Sequence, residues 1–273
     1  ASIKLLPSIS KIYHGYQSFK INTPSVEIIF DDLQDLKKVK NQRDKKFNTK
    51  LVFLKNLILK DISFNYGKKQ IFDKANLTIN RLEFLGIKGE SGVGKSTLID
   101  LILGLKEAHS GKILIDGNNL TNGSLKNQIG YVPQDIFLMD DSIKNNIIFN
   151  FKNETLDQNK FEKACKDAEI YDVFENLPKK FESNVGERGS KISIGQRQRI
   201  GIARALYREP DLLILDEVTS SLDLNTKNKI LQTIIKINKQ VTVIMISHDN
   251  DILKNCQRVV EVKNKKIIEI NIS

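Results

Sequence analysis

Residues 89 to 96 read Gly-Glu-Ser-Gly-Val-Gly-Lys-Ser. Every fixed position of the spacing G-x-x-x-x-G-K-[ST] is met, a pattern for holding phosphate. Gly89, Gly92 and Gly94 let main-chain N–H groups converge on a phosphate where side chains would collide. Lys95 is placed to bridge the β- and γ-phosphates, and the Ser96 hydroxyl to ligate Mg²⁺. Ser91 and Thr97 belong to the same nucleotide-binding run. An apolar strand, "EFLGIKG", leads in. A helix, "KSTLIDLILGL", leads out and adds the positive end of its dipole. Strand, loop and helix in that order separate this stretch from a chance match.

A phosphate loop needs a carboxylate from a second strand, and "LLILDE" supplies it downstream. Asp216, at the end of an apolar run, is suited to the Mg²⁺ hydration shell. Glu217 follows directly, where a carboxylate can orient or deprotonate a water attacking the γ-phosphate. Taken alone, an Asp-Glu pair after a strand reads as a helix N-cap and a first-turn acid. Beside the phosphate loop, the catalytic reading prevails.

The surrounding pattern predicts an α/β core. "KNLILKDISFNYG" and "QIFDKANLTIN" read as two strands joined by a turn at Gly67. "GKILIDG" and "NQIGYVPQ" read as strands. Residues 157 to 177 are largely helical by periodicity, with Pro178 as the stop. "GQRQRIGIARALYR" reads as an amphipathic helix. "DLLILDE" and "VTVIMISH" are short apolar runs, as buried parallel strands are. No internal repeat is visible. Residues 1 to 50 differ in texture. Ile9, Ile12, Tyr13, Tyr16 and Phe19, then Val26, Ile29, Phe30, Leu33 and Leu36, recur at helical spacing. One long helix fits, and so do two, the second starting at Pro24 with Thr23 as N-cap. "KKVKNQRDKKFNTK" reads as a charged linker. The expected division is 1–50 and 51–273.

Composition sets the class. The chain has 273 residues, 40% hydrophobic and 28% charged, which is the balance of a globular protein. A net charge of +10 suits solvated Lys-rich surfaces, nucleic acid, or the anionic face of a membrane. Cys165 and Cys256 lack metal or redox spacing and suit a reducing compartment. No apolar run approaches the roughly 20 residues of a spanning helix, and no signal peptide is seen. The chain opens Ala1-Ser2 without methionine, and part of a longer machine is expected.

Between the two nucleotide motifs stands "ISIGQRQRIGIARAL", residues 192 to 206. This resembles the L-S-G-G-Q signature of ATP-binding cassette (ABC) proteins, here Ile192-Ser193-Ile194-Gly195-Gln196. The family's other elements follow in order. Tyr66 matches the aromatic that stacks on adenine; its plain alternative is a hairpin-end core residue. Gln134 in "YVPQD" matches the Q-loop glutamine, which touches the Mg²⁺ site; its alternative is a polar loop residue. "SSLD", ending at Asp223, matches the D-loop. His248 in "MISHD" matches the histidine that hydrogen-bonds the γ-phosphate; its alternative is a strand cap. The resemblance spans about residues 51 to 270. It implies a P-loop NTPase fold with an antiparallel β subdomain and an α-helical signature subdomain. It also implies ATP and Mg²⁺ as ligands, and hydrolysis with Glu217, His248 and Gln134 at the reacting phosphate. Ser193, Gly195 and Gln196 would meet ATP held by a second cassette, identical or not, so that two ATPs are sandwiched.

Two positions depart from the family. Ile194 stands where glycine is usual, placing a β-branched side chain beside a phosphate, and a slow or asymmetric site is expected. Leu82 also replaces a usual glycine, and tolerance is expected. The V-G-E-R-G stretch, residues 185–189, resembles the X-loop of ABC exporters, where Glu187 would contact the membrane domain's coupling helices. "LLPSISKIYHGYQ" resembles the cytoplasmic end of a half-transporter's last membrane helix, and "PSVEIIFDDL" its linker helix. "LLPSISKI" is most similar to bacterial flippases of lipid-linked oligosaccharides. The resemblance therefore implies an exporter motor at the cytoplasmic face of a bacterial inner membrane, with its transmembrane domain outside this chain and no nucleic-acid partner. The competing class is a soluble ABC ATPase of DNA repair or translation, which the +10 charge would suit. A non-hydrolysing regulatory cassette is disfavoured by Glu217 and His248.

Overall fold

A computed structural model describes residues 2–46, 53–119, 128–149, 156–219, 222 and 224–272. The chain forms two compact units, Ala1–Thr49 and Lys50–Ser273.

The first unit is one helix, α1 (Ser2–Lys46), with Pro7 and Pro24 inside it. Of the two sequence readings, the single helix is the observed one. Thr23 does not begin a second helix. Its hydroxyl donates back to Phe19 O at 2.7 Å, the back-bond of a threonine inside a continuous helix. Apolar side chains from Ile9 to Leu33 are exposed, Phe19 at 74%. No helix among the described residues is long and apolar enough to cross a membrane.

The second unit is built on two sheets. β1 (Asn56–Tyr66) and β2 (Lys69–Asn80) form the expected hairpin, which β4 (Ser110–Ile115) and β5 (Asn118–Asn119) extend to the antiparallel order β2-β1-β4-β5. The other sheet has six strands. β3 (Phe84–Lys88), β6 (Ile129–Val132), β7 (Leu212–Asp216) and β8 (Thr242–Ile246) are its parallel centre. β9 (Arg258–Lys263) pairs parallel with β3, and β10 (Lys266–Ile270) pairs antiparallel with β9. The order is β10-β9-β3-β8-β7-β6. Helices α2 (Lys95–Ile102), α3 (Ile143–Ile148), α4 (Gln158–Asp167), α5 (Tyr171–Glu175), α6 (Ile194–Tyr207), α7 (Leu224–Asn238) and α8 (Asn250–Leu253) complete the unit.

Period-two alternation divides the core. On β7, Leu212 and Ile214 face one apolar cluster while Leu213 and Leu215 face the other. β8 does the same with Ile244 and Ile246 against Val243 and Met245. One cluster joins the sheet to α2 and the antiparallel strands; the other joins it to α4, α6 and α7. The central strands are thus buried on both faces, which is why they read as unbroken apolar runs. Cys165 and Cys256 are free. Burial pushes both thiols up to about 12, so neither is a ready nucleophile.

Two polar anchors hold the start of this unit. Leu82 has φ 60, a left-handed conformation that costs a non-glycine residue about 1 kcal/mol. The site compensates: Leu82 N donates to Thr242 Oγ1 at 2.8 Å, and Leu82 O accepts from Asn238 Nδ2 at 3.2 Å. Asp116 gathers the amides of Leu54, Lys55 and Asn56 at 2.6, 2.8 and 2.8 Å. Burial opposes its charge, but the three amides and Lys55 outweigh it and hold the carboxyl below its ordinary value. A carboxyl with a lowered folded pKa stabilises above its unfolded value near ~4, and the gain is lost as pH falls through the folded value. Asp116→Asn tolerates the φ of 47 found there. It is expected to cost about 2 kcal/mol in urea unfolding at pH 7. The difference from the unsubstituted chain should shrink as pH falls below about 4.

Candidate functional site

The phosphate loop joins β3 to α2. Gly94 caps α2 with φ 117 and no side-chain acceptor for the first-turn amides. A Cβ there would stand 2.5 Å from Ile71 Cγ2, so the chain can pass only as glycine. The open amides and the helix dipole make an anion cradle. Lys95 is buried, 8% exposed. Its Nζ donates to Gly89 O at 2.7 Å and Glu90 O at 3.0 Å. Burial lowers its pKa, and the charges of Glu217 and Asp216 act to raise it. A buried cation among carbonyls and open amides fits a polyphosphate.

The ends of β6, β7 and β8 bring the other groups to the loop. Asp216 closes β7. Burial and the charge of Glu217 raise its pKa, against Tyr131 and Lys95. Tyr131 of β6 donates to Asp216 Oδ2 at 3.2 Å. Burial first, then the charge and hydrogen bond of Asp216, push that phenol up to about 12, so it stays a donor. Glu217 follows with φ 49. Its amide donates to Ile246 O at 3.1 Å. That bond helps hold a left-handed conformation that costs a non-glycine residue about 1 kcal/mol.

Glu217 is the meeting point. Gln134 Nε2 donates to its Oε2 at 3.2 Å, and His248 Nε2 lies 3.0 Å from its Oε1. Lys95 Nζ lies 3.1 Å from the same His248 nitrogen. One nitrogen cannot donate to Glu217 and accept from Lys95 together, so the tautomer chooses between the two contacts. The loop of His248 is anchored by Asp249, whose amide donates to Ser247 Oγ at 3.0 Å and whose carboxylate pairs with Lys227 of α7. Lys227 holds the Asp249 carboxyl below its ordinary value. The loop of Gln134 is held by Arg204 of α6, whose Nη2 donates to Phe137 O at 3.0 Å and Nε to Asn146 O at 2.8 Å.

The structure therefore brings Lys95, Gln134, Asp216, Glu217 and His248 into one polar cluster, with Ser96 and Thr97 at the start of α2. Tyr66 lies beside Thr97, 3.4 Å between their oxygens. A hydroxyl, a carboxylate, an amide oxygen and phosphate oxygens are the hard donors that Mg²⁺ takes, and Ser96, Asp216 and Gln134 are the residues that would supply the protein's share. No group of three or more His, Cys, Asp or Glu side chains among the described residues forms a rival metal site.

Signature residues lie apart from this bonding. Ser193 caps α6: its Oγ accepts from Gln196 N at 3.2 Å, and Gln196 Oε1 accepts from Ser193 N at 3.0 Å. That reciprocal box leaves the Ser193 hydroxyl proton to donate outward. Ile194, the first helical residue, is 53% exposed. Gly195 has a second role beyond its place in the signature. A Cβ there would stand 2.6 Å from Thr226 Cγ2 on α7. Residues 185–189 pack under α6, where Arg197 Nη2 donates to Gly189 O at 3.2 Å; Glu187 is exposed. Asp223 lies outside the described residues.

Tyr131, Lys227, Asp249 and Arg204 were not singled out by sequence spacing. Tyr131 alone left a signal, a polar aromatic three residues ahead of Gln134 on a strand otherwise apolar.

Known proteins resemble this chain in family and fold. The ABC transporter family profile matches residues 72–220. The chain is 38% identical over 220 residues to an ATP-dependent lipid A-core flippase of Desulfotalea psychrophila, covering 80% of this chain and 38% of the relative. It is 39% identical over 213 residues to a putative multidrug export ATP-binding/permease protein of Staphylococcus aureus, covering 76% and 36%. A bacterial Atm1-family ABC exporter solved with ATP bound superposes with a TM-score of 0.73 at 30% identity, covering 81% of this chain and 39% of that one. The chain thus spans well under half the length of these relatives. Fold, motif order and family profile coincide on one conclusion: the chain belongs to the ABC transporter family and carries its ATPase domain.

Proposed function

We propose that this chain is the ATP-hydrolysing motor of an ABC exporter, working at the cytoplasmic face of a membrane and paired with a second cassette. The carrying observation is the convergence of Lys95, Gln134, Asp216, Glu217 and His248 beside the phosphate loop. In this reading Tyr66 stacks on the base, the loop amides and Lys95 grip the phosphates, and Gln134 and His248 line the γ-phosphate. Mg²⁺ held by Ser96 and Asp216 would neutralise the β- and γ-oxygens. Glu217 accepts the proton of the attacking water. The water oxygen bonds to the γ-phosphorus as the bond to the bridging oxygen breaks, and ADP and phosphate leave. Ser193 and the α6 amides serve the ATP of the partner cassette, and Asp223 the shared interface. ATP joins two cassettes and hydrolysis parts them. The flippase relative and the residues 185–189 support export of a lipid-linked or other amphipathic cargo. The names of the relatives are those of membrane exporters, and this favours transport over a nucleic-acid role.

Phosphate release from ATP tests the reading. The rate should rise with the square of chain concentration when dilute, because two chains build each site. A rate no higher than that of Glu217→Gln contradicts hydrolysis here. Ile194→Gly is expected to raise the rate about fivefold, as about 1 kcal/mol of relieved crowding would. An unchanged rate removes Ile194 from the composite site.

A further inference from the structure

The base end of this site holds a second ordered group. Tyr66 closes β1 and is 46% exposed. Phe64 backs its ring edge to face, centroids 5.0 Å apart and planes at 83°. An exposed tyrosine left alone is free to rotate, and ordering it on a ligand costs affinity. Lys106 removes that freedom in advance. Its Nζ donates to the Tyr66 phenol oxygen and lies 4.7 Å from the ring centroid. Asp100 holds Lys106 in turn, twice. Asp100 Oδ2 accepts from Nζ at 2.6 Å. Its main-chain oxygen accepts from the amides of Leu105 at 2.8 Å and Lys106 at 3.2 Å. Asp100 and Thr97 both stand on α2, the helix that begins at Lys95. One helix therefore connects the phosphate cradle to the aromatic ring.

We propose that Lys106, fixed by Asp100, is a positioning residue that pre-orders the Tyr66 ring as the platform for the nucleobase. The proposal rests on the reading of Tyr66 as the base-stacking residue. Lys106 then acts on ligands that carry a base, and acts neither on the phosphates nor on the chemical step.

Calorimetric titration of the full chain tests it, with a non-hydrolysable ATP analogue and with inorganic tripolyphosphate, both with Mg²⁺. Lys106→Met is expected to weaken the analogue about two- to tenfold and to leave tripolyphosphate unchanged. In turnover, KM for ATP should rise by the same factor while kcat stays. In a Tyr66→Ala background, Lys106→Met should add nothing. Equal weakening of both ligands shows a direct charge effect on phosphate and overturns the proposal. So does full additivity of the two substitutions. Tyr66→Ala weakening the analogue while Lys106→Met does not overturns the proposal alone. Tyr66→Ala without effect overturns the base-stacking reading, and the proposal with it.

Discussion

Glu217→Gln is expected to lower ATP turnover about 10²- to 10⁴-fold, the range for a general base, while ATP affinity stays within about twofold. The substitution keeps the size of the side chain and removes its ability to accept a proton. The site gives specific reasons for the loss. Gln134 Nε2 and His248 Nε2 both address the carboxylate oxygens, at 3.2 and 3.0 Å, and an amide offers one oxygen where the carboxylate offers two. The backbone of Glu217, at φ 49, is fixed by the bond from its amide to Ile246 O, so the new side chain stays in place. Single-turnover hydrolysis with excess chain measures the chemical step directly. Turnover within threefold of the unsubstituted chain would take the base role from Glu217.

Lys95→Met should weaken ATP about 100-fold, as losing one partner of a desolvated charge pair does. Stability should move the other way. Nζ of Lys95 has carbonyl oxygens at 2.7 and 3.0 Å, and burial is the first cause of its lowered pKa. Met fills the same channel without a charge to desolvate. The melting temperature without nucleotide is expected to be equal or higher, while the stabilisation normally given by ATP disappears. A variant that binds ATP normally contradicts the phosphate role. One that loses both affinity and fold makes Lys95 a structural residue.

The site was legible in the sequence where local spacing encodes it. The phosphate loop is a contiguous run whose strand and helix flanks are short-range, and the strand before Asp216 announces itself by uniform burial. Pairing across the chain was not legible. Tyr131 reaches Asp216 because β6 lies beside β7 in register, Tyr131 opposite Ile214, and no spacing links residues 85 apart. Asp249 follows His248 in sequence, and nothing local announces that Lys227 of α7 pairs with it. The strands β9 and β10 were missed because their Lys-rich turn hides a weak alternation. Pro24 suggested a break in α1, but a proline can kink a helix without ending it, and the 45-residue helix runs through both Pro7 and Pro24. Ile194 was legible as a departure. The slow or asymmetric site expected from it stays a proposal, because the ATP it would crowd is, in the proposed function, held by a second cassette.

In the proposed function this chain is half of a two-site ATPase closed by nucleotide. Light scattering on Glu217→Gln, with and without ATP and Mg²⁺, tests it most directly, because ATP then binds and is not consumed. A monomer is expected without nucleotide and a dimer with it, the dimer lost again in Ser193→Glu, which sets a charge against the partner's γ-phosphate. A chain that binds ATP and stays monomeric at every concentration would contradict the paired site.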